Sequence, residues 1–175
     1  MNPIDANSLC RECGLCCNGV IFADVQLQSG DNAARLRALG LTFLKNRKSP
    51  IANRKFCQPC TAFAGCECKI YSERPTYCRQ FECLLLKSVK TRETNSTDAL
   101  RVIRSALRRV KTVKRLLQQL GDTDDSVALS KRFRRMQRKL ESAAMDREAA
   151  QTFGELTLAV HDLNMLLAER SYPAP

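Results

Sequence analysis

Ten cysteines constrain this chain of 175 residues more than any other feature, because all ten fall between Cys10 and Cys83. Four of them crowd into CRECGLCC, residues 10 to 17. So dense a run of thiols serves disulfides, a redox pair or a metal. The opening stretch, MNPIDANSLC, has neither the basic start nor the apolar run of a secretory signal. No apolar stretch approaches bilayer-spanning length. The expected compartment is therefore the cytoplasm, where thiols stay reduced. Close cysteine spacings there point to metal or catalysis rather than to disulfides.

In Cys10-x-x-Cys13-x-x-Cys16, each x-x step reads as a tight turn that returns the next sulfur to the same side. One loop then offers several thiolates to one centre, a spacing familiar from ferredoxin cluster loops. Gly14 relieves crowding inside the turn because it tolerates positive φ. Cys17 follows Cys16 directly, and neighbouring side chains point apart. Its sulfur is expected to serve a second centre or the far side of the first. A structural zinc site needs only four ligands.

Residues 57 to 83, CQPCTAFAGCECKIYSERPTYCRQFEC, hold the other six cysteines: Cys57, Cys60, Cys66, Cys68, Cys78 and Cys83. The joint pattern is Cys10 to Cys17, then Pro59-Cys60, then Cys68-Lys69-Ile70-Tyr71, then Arg74-Pro75-Thr76-Tyr77-Cys78-Arg79-Gln80-Phe81-Glu82-Cys83. It resembles the CxxCxxCC (YkgJ-like) cysteine-cluster family of zinc- or iron-chelating proteins, over residues 10 to about 86. The resemblance implies eight core metal ligands: Cys10, Cys13, Cys16, Cys17, Cys60, Cys68, Cys78 and Cys83. Eight thiolates suggest two centres or one polynuclear cluster. Cys57 and Cys66 lie outside the pattern. Cys57 is expected to act as a small apolar residue in a thiol-rich core, whereas Cys66-x-Cys68 leaves chelation open for Cys66. All-thiolate surroundings select zinc or an iron–sulfur cluster, and both remain open.

The rest of this half reads as support. Val20-Ile21-Phe22 suggests a strand leaving the first cysteine loop. Asp31-Asn32 caps a helix through Arg35 to Leu39 that Gly40 ends. Residues 45 to 55, KNRKSPIANRK, read as a surface loop. Pro75 opens a short helix carrying Cys78 and Cys83, with Arg74 and Arg79 flanking Cys78 either as partners of the sulfurs or as surface residues. A small domain of this kind commonly needs staples, which metal–thiolate bonds supply. Metal binding and folding would then be one event.

From Ser96 the period becomes helical. Leu100, Ile103, Leu107, Val110, Leu117 and Leu120 give one stripe, with Ser96 or Thr97 capping its start and Gly121 its end. Leu129, Phe133, Met136, Leu140, Ala143, Ala150, Phe153, Leu156, Val160, Leu163 and Leu167 give another. The acidic turn Asp122 to Ser126 joins them. The expected fold is mostly α with an irregular cysteine-rich metal-bound region. A small metal domain over 1–86 precedes an antiparallel αα-hairpin over 87–175. Its arms span 96–120 and 126–169, the second continuous or bent at Gly154. The unequal arms leave the distal stripe to dock within the chain or to form a homodimer.

Of the net charge of +11, residues 84–175 carry +7 and residues 1–83 carry +4. Residues 101–115 hold Arg101, Arg104, Arg108, Arg109, Lys111, Lys114 and Arg115 without an acid. Residues 131–139 hold Lys131, Arg132, Arg134, Arg135, Arg138 and Lys139, again without one. Such charge suggests a polyanion partner through 101–139, whether nucleic acid, acidic protein or anionic lipid. Nothing resembles a base-reading motif. His161, the only histidine, reads as a surface residue of the late stripe. No Cys–His pair, Ser–His–Asp set or glycine-rich phosphate loop is evident, so a binding role is expected rather than an enzymatic one. Two alternatives stay open: an iron–sulfur-dependent group-transfer enzyme, since flagellin lysine N-methylases share the cysteine signature, and a metal or redox sensor binding nucleic acid.

Overall fold

The computed structural model describes residues 6–44, 54–141 and 146–171. It is mostly helical. Seven helices, α1 (Ala6–Cys13), α2 (Ala33–Ala38), α3 (Thr76–Gln80), α4 (Leu84–Lys90), α5 (Ser96–Gln119), α6 (Leu129–Glu141) and α7 (Arg147–Arg170), accompany four short strands among the described residues. The strands are β1 (Asp24–Gln26), β2 (Lys55–Cys57), β3 (Phe63–Ala64) and β4 (Glu67–Cys68). The chain forms two compact units that interleave in sequence. Of the described residues, a helical unit takes 6–13, 82–124, 129–141 and 146–171, and a short-strand unit takes 14–44, 54–81 and 125–128. Packing thus places residues 6–13 and 82–86 with the helices rather than with the rest of the cysteine segment.

In the helical unit α5 buries Ala99, Ile103, Ala106, Val110, Val113 and Leu117. These recur at three and four residues and form one side of the helix. α5 packs chiefly against α7, which buries Leu156, Leu163 and Leu167. The cap of α5 is Asn95, one residue earlier than Ser96, because its side-chain oxygen accepts the Asp98 N–H at 2.9 Å. Gly121 follows the helix at φ +85°, as a helix-ending glycine does.

The second arm departs from expectation. It is two helices, α6 and α7, rather than one continuous helix over 126–169. Asp146 accepts the Ala149 N–H at 2.7 Å and so starts α7 afresh. Gly154 lies inside α7, so the helix restarts at Asp146 and is not interrupted at the glycine. Ala143 lies outside the described residues. The two-armed hairpin becomes a set of three helices, with Phe133 of α6 stacked on Phe153 of α7 at 6.2 Å between centroids.

Asp122 gives the acidic turn a purpose its sequence did not reveal. Arg132 is 1% exposed, and its Nε donates to Asp122 Oδ1 at 3.0 Å. Its Nη2 donates to the Asp122 carbonyl at 2.8 Å. Arg135 Nη2 reaches Asp122 Oδ2 at 2.8 Å. One buried carboxylate thus pairs with two of the basic residues of α6.

In the short-strand unit β1 pairs antiparallel with β2, in the register Asp24↔Cys57, Val25↔Phe56 and Gln26↔Lys55. β3 and β4 form a hairpin with Phe63 opposite Cys68. Val25, Leu27, Leu36, Leu41, Phe43, Phe56, Ala62 and Ile70 make its core. The strand expected at Val20 to Phe22 begins only at Asp24. Residues 20 and 21 are held in turns, Val20 N–H on Asn18 Oδ1 at 3.2 Å and Ile21 N–H on the Leu15 carbonyl at 3.1 Å. Asn32 caps α2, accepting from Arg35 N–H at 2.9 Å. Of the loop expected over 45–55, residues 45–53 lie outside the described residues. Lys55 opens β2. Among the described residues no helix is long and apolar enough to cross a membrane.

Candidate metal centre

The first cysteine loop is part helix and part turn. Cys10 and Cys13 lie on α1, not in a tight turn. A separation of three residues places them on one helix face, so their sulfurs share a side by a different route. Beyond α1, Gly14 opens a turn at φ +61°. The N–H groups of Cys17 and Asn18 both donate to its carbonyl, at 2.9 and 3.0 Å. A Cβ on Gly14 would lie 2.6 Å from Cζ of Phe63, so the turn closes against that ring only because glycine has none.

Within the short-strand unit this turn meets the second cysteine group directly. The Cys60 N–H donates to the Cys17 carbonyl at 2.8 Å. A Cβ on Gly19 would strike Pro59 Cδ at 2.9 Å. Cys60, Cys68 and Cys78 are all half-buried against one apolar core. Burial pushes the Cys78 thiol up to about 12, with the charges of Cys17, Cys60 and Cys68 adding to the rise and Arg74 opposing it. Burial also pushes the Cys60 thiol up; the N–H groups of Ala62 and Phe63 oppose this, and Cys68 adds to it. Cys17, Cys60 and Cys68, each from a different segment, therefore lie within electrostatic reach of Cys78, and Cys68 within reach of Cys60. Cys16 lies near Tyr77, whose phenol burial pushes up, with Cys16 and then Cys78 adding to the rise. Tyr77 packs with Phe22 and Phe81 at centroid distances of 5.7 and 5.8 Å.

Buried thiols that raise one another's pKa stay protonated near neutral pH. A soft cation reverses that balance, because it supplies the charge that makes thiolates favourable and takes the displaced protons' place. The donor chemistry of these four sulfurs fits zinc or iron. Among the described residues no three Cys, His, Asp or Glu side chains already stand at ion-coordinating spacing.

The remaining pattern cysteines belong to the helical unit. Cys13 and Cys83 are half-buried against Leu9, Leu85, Ala99 and Ile103, and Cys10 is exposed. Cys83 is not on the helix of Cys78. α3 ends at Gln80, and Cys83 caps α4, its Sγ accepting from Leu86 N–H at 3.4 Å. Cys57 is half-buried on β2 opposite Asp24. Cys66 is exposed in the β3–β4 turn at φ +68°, following Gly65 at φ +56°. A type I′ two-residue hairpin turn has positive φ at both central positions, as Gly65 and Cys66 do. Cys57, Cys60, Cys66, Cys68, Cys78 and Cys83 are free thiols. His161 is exposed on α7.

The arginines beside Cys78 separate. Arg74 Nε donates to the Tyr71 carbonyl at 3.0 Å, its guanidinium lies 3.7 Å from the Tyr71 ring centroid, and its charge reaches Cys78. Arg79 instead donates to Thr76 Oγ1 at 3.1 Å. Asp31, read from sequence as part of the α2 cap, has a second task. Its Oδ1 accepts from the N–H and the hydroxyl of Thr76 at 2.9 and 2.8 Å, fastening the start of the Cys78 helix. Burial works against its charge. The Thr76 and Gln28 hydrogen bonds and Arg79 outweigh that and hold the carboxyl below its usual range.

The family model named CxxCxxCC, described as "Putative zinc- or iron-chelating domain", matches residues 9–100. No curated protein and no solved structure matches the chain.

Proposed function

Because the chain belongs to the CxxCxxCC family, we propose that it is a cytoplasmic metal-binding protein that chelates zinc or an iron–sulfur cluster through Cys10, Cys13, Cys16, Cys17, Cys60, Cys68, Cys78 and Cys83. The observation that carries this reading is the burial of Cys78 among the charges of Cys17, Cys60 and Cys68. Desolvated thiolates in mutual reach are costly unless a cation compensates them. Those four are the ligands of one centre in the short-strand unit, a number that satisfies a closed tetrahedral zinc site. Arg74 offsets the residual negative charge of the thiolates. Cys10, Cys13 and Cys83, gathered on α1 and at the start of α4, are donors of the helical unit.

Anaerobic purification followed by elemental analysis for zinc, iron and acid-labile sulfide tests the reading. Zinc without visible colour identifies a zinc protein. Iron with sulfide and broad visible absorption identifies a cluster. A folded protein that carries neither, and takes up neither on reconstitution, overturns the proposal.

A further inference from the structure

Opposite its buried side, α5 carries a stripe of cations. Arg104, Arg108, Lys111 and Arg115 follow one another at four, three and four residues, which places them along one helix face. All four are exposed. Several other cations of 101–139 are engaged. Arg101 pairs with Asp98, Arg109 with Asp162, and Arg132 and Arg135 with Asp122. None of the four stripe residues is in an ion pair among the described residues; Arg115 donates only to Gln119 Oε1 at 3.3 Å. The stripe is about 17 Å long at a rise of 1.5 Å per residue. Four uncompensated like charges along one face repel each other, so an anionic partner relieves a cost the helix already bears.

We propose that this face of α5 docks on the phosphate backbone of a nucleic-acid duplex. Three of the four cations are arginines, whose planar forks match phosphate oxygens. About 17 Å runs past roughly five phosphates of one strand, close to the number of cations. A membrane-surface helix needs bulky apolar side chains beside its cations. The exposed large apolar residues among those described are Tyr71, Leu158 and Met165, none of them on α5. Contacts of this kind are indifferent to base sequence. The inference uses α5 alone and stands or falls independently of the metal.

The test is titration of the full-length, metal-loaded protein against labelled short DNA duplexes of two unrelated sequences. Four neutralised phosphates give a slope of log K against log salt of about −3.6, a loss of roughly 150-fold between about 50 and 200 mM salt. Both duplexes bind alike. Arg104→Glu, Arg108→Glu, Lys111→Glu and Arg115→Glu combined abolish binding. Reversal of the exposed Lys69, Lys87, Arg147 and Arg170 gives the same net charge and shifts affinity by no more than about threefold. Should the fourfold variant fail to fold by circular dichroism, Arg108→Gln and Arg115→Gln each lower the slope magnitude by about 0.9. The proposal is overturned by absence of binding at about 50 mM salt, or by equal loss in the control variant. Tighter binding to polyglutamate or to phosphatidylserine vesicles than to either duplex also overturns it.

Discussion

The helical unit and the short-strand unit bury their side chains by different means. α5 and α7 are each 24 residues long, and regular stripes of Ile, Val, Leu and Ala close the space beside α5. Backbone hydrogen bonding there is local, and every added turn of helix supports the next. The short-strand unit has strands of two or three residues. A two-stranded ladder of that length is marginal in water. Its core of eight buried residues is bordered by Cys60, Cys68 and Cys78, whereas beside Cys13 and Cys83 the helical unit's cluster is bordered by Val89, Leu100, Val102 and Leu107. The contrast shows where metal would matter. A unit with long ladders folds on its apolar stripe, whereas one made of turns depends on whatever ties its cysteines together.

The sharpest way to break the contrast is Cys78→Ser. It removes a proposed ligand from the short-strand unit, whose fold should be lost with its metal, a loss of several kcal/mol. Amide hydrogen exchange should then show free exchange in β1 and β2 while α5 and α7 stay protected. Equal loss of protection in both units would remove the distinction. Asp122→Ala attacks the other unit. It strands Arg132 at 1% exposure and should cost about 3–5 kcal/mol in thermal or denaturant unfolding. Its metal content should equal that of the wild type, and a drop would show that the centre depends on the helical turn.

Asp31→Asn is a smaller probe, and pH sharpens it. The Asp31 carboxyl is held below its ordinary value in the folded protein. Its contribution is therefore complete above the unfolded value near 3.9 and is lost as pH falls through the folded one. The substitution should cost about 1 kcal/mol at neutral pH, the scale of a helix-cap hydrogen bond. That difference should shrink progressively below about pH 4. A constant difference down to strongly acid pH would assign the effect to geometry rather than charge. The smallest effect is expected for Cys57→Ala. Metal content should be unchanged, because Cys57 lies on β2 opposite Asp24 and outside the proposed ligands. A loss matching that of Cys78→Ser would place Cys57 among the ligands.

Much of the helical unit was legible beforehand because helix periodicity is local: the α5 positions Ile103, Val110 and Leu117, and Leu156, Leu163 and Leu167 of α7, could be read from their spacing. The restart at Asp146 was not legible, since an aspartate in a polar run gains meaning only when its side chain reaches Ala149 N–H. Nor was the burial of Arg132. Sequence shows the charge, and only the approach of Asp122 makes it a core residue.

The cysteine pattern by itself determined the family and the kind of chemistry, because thiolate number and spacing limit which ions the chain can hold. It also set eight residues apart from Cys57 and Cys66. Only the tertiary structure decided how the eight divide between the two units. The Cys60 N–H on the Cys17 carbonyl and the packing of Cys68 and Cys78 on one core join segments about sixty residues apart. Cys13 and Cys83 instead share an apolar cluster of the helical unit. Spacing along a chain governs the sulfurs of one loop, but which loops meet depends on where apolar surface is buried, and that is settled by the whole fold.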